Sequence, residues 1–289
     1  MTDGERALFR FMQARHAVYE TRKRGMPWPW TDDPILKAYR FCNVYRELDK
    51  QTVLIHDNWL KPNRDAPDLW FACVVARLIN WWPSLEEIGA PPGVSGKWHP
   101  KWFVDALDAR RAAGDKVFTG AYMVRADAVI GGTKAAYLAE YVLTPMWKDR
   151  EHIRPRKGDT LAAFHARLKL YRDMGDFMAG QVVADAKHFT FPLQMAADLD
   201  TWATPGPGSL RGLNRVRGRA PTSSWTQHNS WFREFNALYT IIEPEVRRTR
   251  MPFLDGQNLQ NCLCEFDKYE RVRLGQGKPR SRYSPPPEH

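Results

Sequence analysis

The charged side chains that could do chemistry gather in two stretches of this chain. The first, "LDTWATPGPGSLRGLNR", sets Asp198 and Asp200 ahead of a stiff Pro-Gly turn and Arg211 and Arg215 behind it. The second, "QNCLCEFDKYERVRLGQGKPRSRY", carries Glu265, Asp267, Lys268, Arg271, Lys278, Arg280 and Arg282. An arginine holds a phosphate through two parallel N–H donors, a lysine as a point charge. Each of these cations alone reads as a solvated surface group. As a set beside a glycine-rich loop they read as a phosphate or DNA-backbone surface. A carboxylate beside such a surface is placed to take a proton from a reacting group. Glu265 and Asp267 lie two apart on a helix and so face different ways. Asp198 and Asp200 each have a plainer alternative, capping the helix that starts after the turn.

The composition agrees with a polyanionic partner: the formal net charge is +10 over 289 residues, which favours nucleic acid, a phosphorylated ligand or an acidic membrane surface. No run of about 18 apolar residues is present, so no membrane span is expected. The N-terminus lacks a signal-peptide layout, and Cys42, Cys73, Cys262 and Cys264 show neither CxxC spacing nor a histidine pattern. Reduced thiols in a cytoplasm, and no metal or cofactor, are the expectation. The phosphate loop GxxxxGK[ST], HExxH, GxSxG and GxGxxG are all missing, which removes the kinase, zinc-hydrolase and dinucleotide readings.

The elements that must position these residues read mainly as helix. "PILKAYRFCNVYRELDKQTVLI" places Asn43, Arg46 and Asp49 at i, i+3 and i+6, a polar stripe on an otherwise apolar helix; a solvated face is the alternative. "DLWFACVVARLINWW" reads as a buried helix ending at Pro83. "DTLAAFHARLKLYRDMG" opens with the capping pair Asp159–Thr160 and ends at Gly175 in the left-handed conformation. A second helix follows from Phe177 to Ala186. "WFREFNALYTIIEPEVRR" and "DGQNLQNCLCEFDKYERVRLG" complete the set, and "KVFTGAYMV" is the best candidate for a strand.

The pair of helices around Gly175 resembles the hairpin of the helix-hairpin-helix DNA glycosylases. Gly175 falls on that motif's second glycine and Ala179 on its closing alanine. "LDTW" then resembles the glycosylases' catalytic aspartate context, which puts Asp200 on the catalytic position. The resemblance implies that Gly175, Phe177 and Gln181 lie along a hairpin whose amides meet a DNA phosphate. Asp173 replaces the first hairpin glycine. Phe177 stands where strand-cleaving members carry a lysine, so Schiff-base cleavage is not expected.

The wider set "FCNVYRELD", "LINWWPSLEE", "GAYMV", "GDFMAGQVVAD", "TPGPGSLRGLNR" and the C-terminal block resembles the α-glutamyl/putrescinyl thymine pyrophosphorylase family. These are the amino acid:DNA transferases of phages, also known as the helical domain associated with 5-hydroxymethyluracil DNA kinases. The resemblance runs over about residues 35–283, leaving 1–34 as an N-terminal extension and 284–289 as a disordered tail. It implies a mainly α, two-lobed, DNA-glycosylase-like fold in a phage protein of the host cytoplasm. The implied reaction attaches an amine, an amino acid such as glycine or a polyamine, to 5-(pyrophosphoryloxymethyl)uracil in DNA and releases pyrophosphate. Asp200, Glu265 and Asp267 are then the candidate acids and bases. Asn43, Arg46, Asp49, Gln257 and Asn261 join the cations as substrate or phosphate ligands; the amide-rich turn at 257–261 reads a uracil edge or a phosphate, or caps its helix. Two other functions stay open: a glycosylase that hydrolyses a modified base, and a non-catalytic DNA-binding module that assists a kinase.

Overall fold

A computed structural model describes residues 1–120, 132–225, 228–279 and 281–284. The helices that position the charged residues are α1 (Asp3–Lys23), α2 (Pro34–Ala38), α3 (Lys50–Ile55), α4 (Leu69–Ile79), α5 (Leu161–Leu168), α6 (Asp176–Phe189), α7 (Pro207–Val216), α8 (His228–Arg247) and α9 (Gly256–Arg273). The expected mainly helical class holds. Among the described residues no strand forms, and β-pairing is limited to an isolated antiparallel bridge between Tyr39 and Arg282. The expected strand is therefore missing from 116–120, and its remainder at 121–124 lies outside the described residues.

The chain forms two compact units. One is discontinuous, residues 1–49 with 203–289; the other, 50–202, is inserted into it. In the discontinuous unit, Thr2 and Glu5 form a capping box at the start of α1, and Leu8, Phe11 and Met12 join Leu213, Trp231, Phe235, Leu259 and Phe266 in one core. Residues 1–34, expected as an extension, thus supply a helix to this core.

α7 lies against α9 at backbone distance. A Cβ on Gly212 would stand 2.1 Å from the Leu263 carbonyl oxygen, and one on Gly208 would stand 2.9 Å from Cys264 Sγ. Only hydrogen fits at Gly212. Gly208 and Gly212 are therefore contact residues between helices.

The long helix expected from Pro34 does not form. Asp33 caps α2 through Ile35 N–H and Leu36 N–H, but the helix ends at Ala38. Residues 40–45 run irregularly, a single 3₁₀ turn covers Arg46–Leu48, and α3 then begins. Side-chain bonds to backbone groups, described below, compete with helix here and win.

In the inserted unit, every residue of α4 is buried, as its apolar run predicts. It ends at Asn80, which is left-handed at φ 50°, three residues before Pro83. Thr160 caps α5 as expected, with Oγ1 accepting from Ala163 N–H at 3.0 Å. Asp198 adds a second cap, accepting from the N–H groups of Leu161 at 2.7 Å and Ala162 at 3.0 Å. It is thus a cap, though of α5 rather than of the helix that follows it in sequence. α5 stops at Leu168, well before Gly175. Gly175 has φ −67° and precedes α6 in extended backbone. The left-handed residue of this turn is Asp173, at φ 60°, whose carboxylate accepts from Tyr137 Oη at 2.6 Å.

Candidate functional site

α9 organises the polar groups of the discontinuous unit. Asp255 caps it, accepting from Asn258 N–H at 2.8 Å. Along one face, Asn258 Oδ1 accepts from Arg46 N–H at 3.0 Å, Asn261 Nδ2 donates to the Asn43 carbonyl at 3.0 Å, and Glu265 Oε2 accepts from Cys42 N–H at 2.9 Å. These three side chains, spaced three and four apart, hold the irregular 42–46 segment. The amide-rich turn is thereby a clamp on a loop, with Gln257 buried beside it.

Within that loop Asn43 and Asp49 meet, but not as a helical stripe. Asp49 Oδ1 accepts from both Asn43 N–H and Nδ2, each at 2.9 Å. Arg15, from α1, donates through Nη2 to Asn43 Oδ1 at 2.7 Å and to the Phe41 carbonyl at 3.1 Å. Its Nη1 is buried with no hydrogen-bond partner. Burial depresses the Arg15 pKa, against the pull of Asp49 and Glu265. Burial also raises the Asp49 carboxyl, although Asn43 N–H, Arg46 and Arg15 oppose it. Lys268 Nζ reaches Glu265 Oε2 at 2.6 Å and sits 4.9 Å from the Phe41 ring centroid. The Glu265 charge is the main influence that pushes the exposed Cys42 thiol above its ordinary range.

The opposite face of α9 carries Asp267, which is 1% exposed. Its two oxygens accept from Arg211 Nε and Arg215 Nε, each at 2.8 Å. The two arginines are one turn apart on α7, so one carboxylate fixes both. Neither Nη pair makes a hydrogen bond among the described residues, and the Arg211 side chain is 38% exposed. Asp267, expected as an acid or base, has both oxygens occupied and acts as the post that aims two guanidinium ends. Farther on, Arg271 Nε is buried without a partner, and Lys278 and Arg282 are exposed. Arg280 lies outside the described residues.

The remaining expected residues belong to the inserted unit. Gly175 begins α6, Phe177 is 55% exposed, Gln181 is buried, and Asp200 is exposed in a turn before Trp202. A Cβ on Gly175 would meet nothing within 4 Å.

Sequence reasoning missed two groups. Arg15 carries no local signal, since only the fold brings α1 to the loop. The second is a buried network in the inserted unit. Arg77 donates through Nε to Asp185 Oδ2 at 2.5 Å, through Nη2 to Thr52 Oγ1 and through Nη1 to Asn80 Oδ1, both at 3.1 Å. His56 Nε2 lies 2.9 Å from Asp185 Oδ1. Here a signal existed: a lone arginine in an apolar run demands a buried partner.

Among the described residues no cluster of histidine, cysteine or carboxylate side chains is arranged to hold a metal ion, and no helix is long and apolar enough to cross a membrane. Residues 3–278 match the family model described as "5-hmdU DNA kinase, helical domain". The chain belongs to the 5-hmdU DNA kinase helical-domain family. Within curated proteins it is similar to a 5-hmdU DNA kinase of Bacillus phage SP10, with 26% identity over 284 residues. The aligned region covers 89% of this chain and 43% of that relative. The chain therefore spans less than half the length of the kinase it matches. No solved structure matches it. The family match starts at residue 3 and so takes in α1 and Arg15.

Proposed function

We propose that this chain takes part in phage thymine hypermodification by transferring an amine onto 5-(pyrophosphoryloxymethyl)uracil in DNA. The amine nitrogen bonds to the methylene carbon on the base. The carbon–oxygen bond breaks, and pyrophosphate leaves with the electron pair. The amine must arrive uncharged, so a carboxylate takes its proton, and cations must neutralise the departing oxygens.

The observation that carries this reading is the Asp267 post. It fixes two guanidinium groups whose Nη ends are unused, Arg211 partly exposed and Arg215 at the edge of the interior, and such donors suit a diphosphate. On the other face of α9, Glu265 Oε1 and Asp49 Oδ2 have no hydrogen-bond partner among the described residues. Asp49, with its raised carboxyl, is the better matched base of the two. Arg15, with a buried and unsatisfied Nη1, favours a co-substrate that brings its own carboxylate, an amino acid rather than a polyamine. Within the inserted unit by itself, Asp200, Gly175, Phe177 and Gln181 stay candidate DNA contacts, as the resemblance to the glycosylase hairpin and aspartate suggests.

The test is to incubate the purified chain with pyrophosphorylated hydroxymethyluracil DNA and individual amines, then digest to nucleosides. A new nucleoside and stoichiometric pyrophosphate are expected with amino acids. Abasic sites and free base instead would mean a hydrolase. A second reading draws on the relative's length: a chain matching 43% of a kinase can serve as the DNA-binding part of a larger assembly. Under that reading DNA binds and no amine is incorporated.

A further inference from the structure

The end of α1 and the chain's C-terminal segment meet in a feature that the reaction above does not use. α1 ends in Arg22, Lys23 and Arg24, all exposed, and runs into "GMPWPW". Trp30 Nε1 donates to the Met26 carbonyl at 2.7 Å, which closes this loop on itself. The Arg22 guanidinium sits 5.4 Å from the Trp30 ring, and Tyr283 packs edge-on against the same ring at 5.7 Å. Tyr283 N–H donates to the Ala38 carbonyl at 3.0 Å, and Arg40 N–H to the Ser281 carbonyl at 3.2 Å. These bonds bring exposed Arg40 and Arg282 to the same edge. Trp28 stands between two prolines of the closed loop with 44% of its surface exposed, next to Met26 at 53%.

Arg22, Lys23, Arg24, Arg40 and Arg282 have no carboxylate partner among the described residues. Of the acids in this segment, Asp32 is exposed and forms no ion pair with these cations, and Asp33 is spent on capping α2 and on accepting from Tyr269 Oη at 2.6 Å. Glu20 lies 3.9 Å from His16. A tryptophan held open on a stiff loop costs exposed apolar area. Its flat face, ringed by cations, suits an unstacked base with phosphates on either side. A closed duplex offers phosphates but no free base face. The surface also continues through Arg40 to exposed Cys42, in the loop that α9 clamps.

We infer that Trp28 and the cations of residues 22–24, Arg40 and Arg282 form a binding surface for single-stranded or locally opened DNA, with one base stacked on the indole. The surface stands whether or not amine transfer is the reaction. It is tested by fluorescence anisotropy of the full chain on labelled single-stranded and duplex oligonucleotides, across a salt series. Trp28→Ala should weaken single-strand binding about tenfold, the size of one base stacked on an aromatic ring. Trp28→Phe should retain most of it. Arg22→Gln/Arg24→Gln should flatten the salt dependence by about 0.7 for each phosphate no longer neutralised. All these side chains are exposed, so unchanged circular dichroism and melting temperature accompany the expected result. Single-strand affinity equal to wild type in Trp28→Ala, or a salt slope unchanged in the double variant, would overturn the inference.

Discussion

Two buried carboxylates, one in each unit, are gripped by arginine, and they are gripped for different ends. Asp185 meets Arg77 and His56, and Arg77 spends its other donors on Thr52 and Asn80. Arg77 is 2% exposed. Asp267 meets two arginines, but only through their Nε atoms, and leaves both Nη pairs unbonded among the described residues. One network is closed and consumes its charge internally. The other leaves guanidinium donors unspent, on a partly exposed Arg211 and a nearly buried Arg215. A buried ion pair is thus no sign of a site by itself; the donors left over decide.

The closed network should show the largest stability effect. Asp185→Asn or Arg77→Ala strands a buried charge and should cost about 3–5 kcal/mol in urea unfolding. The double apolar replacement Arg77→Met/Asp185→Leu should recover much of that loss. A single variant as stable as wild type would erase the contrast. Gly212→Ala comes next, at about 1–3 kcal/mol or more, because its methyl meets a backbone carbonyl. Gly175→Ala, with open space around it, should stay near neutral. Arg211→Gln, which leaves Arg215 on Asp267, should cost less stability than Arg77→Ala yet lower pyrophosphate-releasing turnover at least tenfold, the loss of one charge-assisted hydrogen bond in the transition state. If it instead destabilises as Arg77→Ala does, the open network is merely structural.

The smallest effects are in pH. Burial alone raises the Asp185 carboxyl, but Arg77 and His56 hold it well below the usual range. A lowered folded-state pKa gives stability that is full above the unfolded value of about 3.9 and is lost as pH falls through the folded one. Wild-type stability should therefore decline progressively below about pH 5, and Asp185→Asn should lack this component. Asp49 runs the other way. Its raised carboxyl should place the acidic limb of the rate profile above the ordinary carboxylate range, and Asp49→Asn should remove that limb.

The helical class, α4, the Thr160 cap of α5 and the extent of α9 were legible because apolar periodicity and a Thr cap are local signals, whereas the Asp198 cap of α5 comes from 37 residues away. The break after Ala38 was not. There Asn43 and Asp49 bond to each other, and α9 supplies Asn258, Asn261 and Glu265 from more than 200 residues away. Helical spacing named Asn43 and Asp49 as partners for the wrong reason, and it missed Arg15 altogether. Asp267 was flagged as chemical because it sits among cations. Its burial between two of them, visible only in three dimensions, turns it from reagent into support. At Gly175 the glycine was noticed and the strained position was not, since Asp173 takes the left-handed turn.

The insertion of residues 50–202 into the other unit also sets an order of events during synthesis. α1 leaves the ribosome before the inserted unit, yet Leu8, Phe11 and Met12 have their core partners on α7, α8 and α9, which emerge after it. The inserted unit has all its core residues in hand by Trp202 and can fold while α1 waits. The discontinuous unit closes only when α9 has been made. A nascent or truncated chain ending before Gly256 would therefore carry a folded insert on an apolar, unpartnered α1, a species suited to chaperone capture rather than to DNA.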